Sequence, residues 1–338
     1  MSVDRTVVVY GAYGHTGRFV VAELLERGWI PILSGRDAGK LAALSEMFPG
    51  LERRPASVED PVSLDRALDG AMGVINCAGP FLDSAAPMIE AALRARIHYL
   101  DVSAEQQAVL DVFERFSGAA KAAAVTVVPA MAFYGGLADL LATAALDDWP
   151  DADAIDVAVA LDSWHPTVGT RLTGARNRYR RLVVAGGKLE PLADPPPSGQ
   201  WMFPAPFGTQ DTIALPFSEI VTLSRHVRST EVHSYMNLAP LKDLRDPHTP
   251  PPTPTDAHGR SSQTFMVETR VRRGSQTRSA LASGRDIYAV TAPLVVEAIQ
   301  RIGGGRVKAN GVVAPGQAFD ARGFLESLPA LDLVLPGA

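Results

Sequence analysis

A chain of 338 residues is long enough for two domains. Its composition, 46% hydrophobic and 20% charged, is that of a globular protein, and a formal net charge of −5 argues against a nucleic-acid-binding protein, which would carry a basic excess. The single cysteine, Cys77, excludes an intrachain disulfide framework and cysteine-cluster zinc sites, and no apolar run approaches the ~20 residues of a membrane span.

Val7 to Tyr10 form a continuous apolar run, as a buried parallel strand requires. Gly11, Gly14 and Gly17 follow. An amphipathic helix comes next, with Val20, Val21, Leu24 and Leu25 sharing a face and Gly28 as its stop. A G-x-x-G-x-x-G turn between strand and helix predicts a dinucleotide site. Gly11 allows the tight turn, Gly14 lets the backbone approach a pyrophosphate, and Gly17 lets the helix pack close to the sheet. The pyrophosphate then rests on unpaired N–H groups at the helix start, around Thr16. Tyr13 and His15 lie inside the same turn, placed either beside the cofactor or in local packing.

The second strand ends in Ser34-Gly35-Arg36. An acidic residue there would bind the ribose 2′-hydroxyl of NAD. Arg36 suits a 2′-phosphate instead, with Ser34 as a hydroxyl donor, so NADP is the expected cofactor. Asp37 reads as the N-cap of the next helix. The alternative is a solvated Arg36, with Asp37 reading the ribose.

Alternation continues. Helices are predicted over 40–48, 61–69, 84–95 and 105–123, and strands over 51–55, 73–77, 97–102 and 125–128. Such βαβ alternation demands a parallel sheet with helices on both faces. Beyond residue 150 the texture changes. Strands are predicted over 154–161, 220–223 and 231–237, a basic helix over 171–183, and an ordered loop or lid over 191–216. A proline-rich excursion spans 247–254, a hairpin 264–272 and 276–283, and a helix 288–302. The fold class expected is α/β: a Rossmann-type doubly wound parallel sheet plus a second α+β domain with a mixed or antiparallel sheet. The division expected is 1–135 for NADP binding, 136–284 for substrate binding or dimerisation, and 285–338 returning to the first domain.

Ligands of an open α/β sheet lie beyond the carboxyl ends of its strands. After the fourth strand, Cys77, Ala78, Gly79 and Pro80 are small enough for a nicotinamide ribose to approach, or form a plain turn. After the fifth, Asp101 and Glu105 face the cleft. Asp101 is a candidate proton carrier or a backbone cap, and Glu105 better suits a helix start. After the sixth, Tyr134 sits in a glycine-flanked turn as a candidate acid. Arg171, Arg176, Arg178, Arg180 and Arg181 either bind an anion or form a solvated face. His165, His226 and His233 lack metal-ligand spacing, so no metal is expected, and the absence of G-x-S-x-G argues against a serine hydrolase.

The segments Val-Val-Val-Tyr-Gly-Ala-Tyr-Gly-His-Thr-Gly-Arg, Ser-Gly-Arg-Asp, Val-Ile-Asn-Cys-Ala-Gly-Pro-Phe and His-Tyr-Leu-Asp-Val-Ser-Ala-Glu together resemble the saccharopine dehydrogenase-like oxidoreductases. The resemblance includes a subgroup of trans-acting enoyl reductases. It covers residues 6–135 and extends weakly to Pro206-Phe207-Gly208 and to Asp286, Tyr288 and Thr291. It implies NADP binding at Gly11, Gly14, Gly17 and Arg36. That family often has Asp in the turn after the third strand, where Ser57 stands here as a candidate adenine contact.

The function expected is an NADPH-dependent reductase acting on a polarised C=C, C=O or C=N bond of a small or thioester-linked metabolite. Saccharopine-type imine reduction and non-catalytic NADP sensing with a protein partner are the alternatives. No nucleic acid or membrane insertion is expected. Residence is expected in the cytoplasm, and a homodimer is compatible with the second domain.

Overall fold

The computed structural model describes residues 5–337. The first four residues and Ala338, at the outer ends of the expected first and last segments, lie outside it. In chain order come β1 (Thr6–Tyr10), α1 (His15–Glu26), β2 (Ile30–Gly35), α2 (Ala38–Met47), β3 (Arg53–Pro55), α3 (Pro61–Leu68), β4 (Gly73–Asn76), α4 (Phe81–Ala95), β5 (His98–Asp101), α5 (Gln106–Ala122) and β6 (Thr126–Val128). A π-helical turn, Phe133–Leu137, runs into α6 (Ala138–Leu146). Then follow β7 (Ala152–Leu161), α7 (Val168–Arg176), β8 (Leu182–Ala185), β9 (Lys188–Pro191), β10 (Ser198–Met202), β11 (Thr209–Ala214), α8 (Ser218–Ser224), β12 (Ser229–Asn237) and α9 (Ala239–Arg245). The chain continues through β13 (Thr264–Arg273), β14 (Gln276–Arg285), α10 (Thr291–Gly303), β15 (Gly311–Val312), α11 (Pro315–Ala318), α12 (Ala321–Glu326) and β16 (Asp332–Val334).

The first sheet runs β15-β6-β5-β4-β1-β2-β3, and every pairing in it is parallel. Both faces are buried, which is why its strands read as unbroken apolar runs. Val7, Val9, Leu33, Ile75, Leu100 and Val128 face one core, and Val8, Tyr10, Ile32, Val74, Tyr99 and Val127 face the other. Strand order reverses between β1 and β4. Their carboxyl ends therefore open the crevice in which such sheets hold ligands.

The second sheet is mixed, in the order β10-β11-β12-β7-β13-β14-β16, with β8 and β9 attached at β12. Its one parallel pair among the described residues is β12 with β7. Helix α10 packs on α1, and β15 pairs with β6, so the chain re-enters the first sheet after building the second.

Several elements differ from expectation. Residues 220–223 lie in helix α8 rather than a strand, because all but the last residue of that short helix are buried and no polar stripe marks its period. Helix α6 went unpredicted for the same reason: it is buried nearly all round. The basic helix ends at Arg176 and residues 182–185 turn into a strand. The expected loop over 191–216 contains the β10–β11 hairpin. Helix α4 starts at Phe81, not Ser84, because the Ser84 hydroxyl donates to the Ala78 carbonyl instead of capping.

Candidate active site in the interdomain cleft

The glycine turn is built by close approaches that side chains would block. Gly11 has φ +80°, and its N–H and that of Ala12 both donate to the Ser34 carbonyl, at 2.9 and 3.1 Å. A Cβ on Gly11 would lie 3.0 Å from the backbone of Cys77 and Ala78. One on Gly17 would collide with the Gly11 carbonyl oxygen. Gly14 stands at the N-cap of α1, with no capping side chain and no acid in the first turn. The helix start around Thr16 is thus left to bind an anion.

At the β2 end, the Tyr13 ring covers Gly35 so closely that a Cβ there would stand 2.7 Å from it. Arg36 is exposed and makes no hydrogen bond or ion pair among the described residues. Asp37 caps α2, accepting from Lys40 N–H at 3.0 Å, and so is committed to the backbone. Ser34 requires a correction. Its side chain is fully buried and its hydroxyl donates to the Arg54 carbonyl at 2.7 Å, leaving no donor for a phosphate. Ser57 is half-buried, with its hydroxyl accepting from Glu59 N–H at 3.3 Å.

At the other end, Asn76 donates to Ser84 and Tyr99 and accepts from Ala78 N–H at 3.0 Å. That network fixes the turn Cys77-Ala78-Gly79-Pro80, whose residues are all half-buried. Burial pushes the Cys77 thiol far up, so it stays protonated. Helix α7 lies over this turn: a Cβ on Gly79 would stand 2.8 Å from the Thr173 hydroxyl.

Asp101 is a second correction. It is buried, and one carboxylate oxygen accepts from Ser103 and Ala130 N–H at 3.0 and 2.8 Å. The other accepts from the Tyr99 hydroxyl at 2.9 Å. Burial raises its pKa, but its contacts are those of a cross-link between strand ends, not of a proton carrier open to substrate. Glu105 accepts from Phe81 N–H at 3.0 Å and so serves the start of α4, while its other oxygen is buried without a partner. Burial lifts it to about 7.

Tyr134 sits in an aromatic cluster. Its ring stacks on Phe217 at 4.1 Å and lies 5.8 Å from Trp164, and its hydroxyl is buried without a partner. Burial raises the phenol well above its ordinary value. Tyr288 lies in the turn between β14 and α10. Its hydroxyl accepts from Trp164 Nε1 at 3.1 Å and lies 2.9 Å from the Thr170 hydroxyl on α7. His15 meets the Tyr288 ring edge-on at 5.3 Å. Burial lowers its pKa, so the imidazole is neutral at neutral pH.

The structure adds residues that the sequence did not single out. Phe217 and Glu219 precede and begin α8. Glu219 is buried, with one oxygen accepting from Phe217 N–H at 2.8 Å and Ser234 hydroxyl at 2.6 Å, and burial lifts it to about 7. A lone acid in the run Phe217-Ser-Glu-Ile-Val was the available signal. The basic segment divides. Arg171 donates to the carbonyls of Asp246 and Thr249, Arg176 pairs with Asp83 at 2.9 Å, and Arg178 and Arg180 are exposed. Arg181 instead turns inward, 4.7 Å from the Phe217 ring. Among the described residues no cluster of His, Cys, Asp or Glu could hold a metal ion, and no helix is long and apolar enough to cross a membrane.

Residues 7–128 match the family profile of the saccharopine dehydrogenase NADP binding domain. Over those residues the chain is similar to saccharopine dehydrogenase NADP-binding domains. The match supports NADP as the cofactor, and the glycine cradle and uncapped helix start fit a dinucleotide. Similar proteins include a saccharopine dehydrogenase-like oxidoreductase from Bos taurus, 27% identical over 40% of this chain and 35% of that one. Another is a probable mitochondrial saccharopine dehydrogenase-like oxidoreductase from Arabidopsis thaliana, 31% identical over 30% and 26% respectively. The matched stretch thus spans about a third of these relatives or less. Saccharopine dehydrogenase (L-Glu forming) from Saccharomyces cerevisiae shares the fold at 13% identity, with a TM-score of 0.67 over 98% of this chain and all of that one.

Proposed function

We propose that the chain is an NADPH-dependent oxidoreductase that reduces a polarised C=C, C=O or C=N bond in a small or thioester-linked substrate. One observation carries the reading: the glycine cradle on an uncapped helix start is linked to Tyr134 by a run of ring contacts, His15 to Tyr288 at 5.3 Å, Trp164 Nε1 to the Tyr288 hydroxyl at 3.1 Å and Trp164 to Tyr134 at 5.8 Å. Gly11, Gly14, His15, Thr16 and Gly17 would surround the pyrophosphate. Tyr13, Gly35, Arg36 and Ser57 would take the adenosine end, with Arg36 on the 2′-phosphate. Cys77, Ala78, Gly79 and Pro80 would border the nicotinamide. The bound cofactor supplies hydride; the protein orients the acceptor, excludes water and provides a proton from Tyr134.

The test has two arms. NADPH and NADH are titrated against the chain and against Arg36→Ala. The variant should weaken NADPH binding by roughly tenfold or more and leave NADH binding nearly unchanged. Equal losses would remove Arg36 from the 2′-phosphate. Cofactor absorbance is then followed with imines, ketones and enoyl thioesters. Tight NADPH binding with no turnover across all three classes would support NADP sensing instead.

A further inference from the structure

Buried polar atoms are nearly always hydrogen-bonded, so those that are not point to an absent partner. Two such atoms, Tyr134 Oη and Glu219 Oε2, belong to residues that touch Phe217, the first stacked on its ring and the second accepting from its backbone N–H. Arg181 lies against the same ring, its guanidinium 4.7 Å from the centroid. It donates to the Pro216 carbonyl and forms no ion pair among the described residues. A guanidinium carries five N–H donors, so most of its capacity is unspent. Arg181 and Glu219 both act electrostatically on the Tyr134 phenol. Burial draws Arg181 down and lifts Glu219 to about 7, as expected for groups kept from water.

This set is rich in donors and is bordered by the Tyr134, Phe217 and Trp164 rings. It suits an oxygen that gains negative charge and repels a protonated nitrogen. We propose that Arg181 and Tyr134 form an oxygen-binding site that takes the carbonyl oxygen of the substrate, with Glu219 as a positioning residue that holds Phe217 and the α8 start beneath it. The inference rests on the proposed reductase function and narrows it, from three bond types to substrates bearing a carbonyl. For a ketone, the bound cofactor would supply hydride to the carbonyl carbon, and the C=O π pair would move onto oxygen beside Arg181. The Tyr134 O–H bond breaks and its proton passes to that oxygen, giving an alcohol and NADP⁺. The phenolate regains its proton from water.

A phenolate mimics the developing oxyanion and needs no turnover. The full chain, loaded with NADP⁺, is titrated with 4-nitrophenol in buffer below the pH at which the free phenol ionises. The bound probe should show the yellow absorbance of its ionised form. Arg181→Met should weaken binding on the order of tenfold and abolish the yellow band, and Tyr134→Phe should weaken it less. Circular dichroism and NADPH titration of the same samples report folding, and Tyr134→Phe removes only one hydroxyl should Arg181→Met fail to fold. A probe bound only as neutral phenol, bound equally by wild type and both variants, or not bound at all would overturn the proposal. If NADPH fails to bind while the unloaded chain still ionises the probe, the cofactor reading falls and the oxygen site stands.

Discussion

Glu219 gives the clearest residue-scale consequence of burial. A carboxyl lifted from 4.5 to about 7 holds its proton in the folded chain over a range where the unfolded chain has lost it. The folded state therefore binds more protons between those values, and stability falls as pH rises through that window. The shift corresponds to at most about 3 kcal/mol. Glu105, lifted to a similar value, contributes in the same direction. Glu219→Gln keeps the acceptor for Phe217 and Ser234 and removes the titration. Its melting temperature should change less between pH 5 and pH 8 than that of the wild type, and should exceed the wild type at pH 8. Parallel melting curves for the two proteins would refute the assignment. At this scale the sequence was legible only in part. Gly11 and Gly17 were readable because backbone geometry alone demands them. Glu219 and Arg181 were not, because their environment is made by elements far apart in the chain. Ser34 has its hydroxyl consumed by the Arg54 carbonyl, and Asp101 takes the backbone-cap alternative that the sequence left open.

At the scale of elements, α7 stands apart. None of its residues is buried, and Val168 and Leu172 are exposed. Packing therefore contributes little to holding it, and its ties are polar. The Thr167 hydroxyl caps it, accepting from Thr170 N–H at 3.0 Å. Arg171 ties it to the segment after α9, and Arg176 to Asp83 in the first turn of α4. It thereby straps the second sheet to the Gly79 turn and covers the nicotinamide end of the proposed site. Cofactor entry should require this strap to lift. Asp83→Ala should speed amide hydrogen exchange over residues 168–176 and raise both association and dissociation rates of NADPH. Global stability should change by less than about 1 kcal/mol, since the ion pair is half-exposed. Asp83→Arg combined with Arg176→Asp should restore slow exchange. Unchanged exchange in Asp83→Ala would show that the latch does not hold the helix. The sequence revealed a basic helix here but not its function as a bridge, because Asp83, Asp246 and Thr249 meet it only in the folded chain.

Across the whole molecule, legibility followed the locality of contacts. The first sheet could be read because, apart from the β1–β4 crossover, each of its first six strands pairs with one next to it in sequence. The second sheet could be read only as a run of strands. Its central pair, β12 with β7, is parallel and encloses the intervening hairpins, and nothing local specifies that register. Even the first sheet has one non-local member. The Thr126 hydroxyl of β6 donates to Asn310, 184 positions away, just before β15 pairs beside it.

That pairing sets a schedule for synthesis. A ribosome adding 5–20 residues per second delivers β15 roughly 10–40 s after β6. For that interval β6 is an open edge, and open edges template aggregation. Helix α6 is likewise left uncovered, since α11 and α12 pack on it and Asp139 accepts from Gly316 N–H at 2.9 Å. A chain ended at Gly305 should therefore bind hydrophobic dyes and precipitate, although every glycine of its cofactor turn is in place. A soluble, NADPH-binding fragment would show that the returning strand is dispensable. The nascent protein thus possesses its glycine turn long before it possesses a closed sheet to hold it.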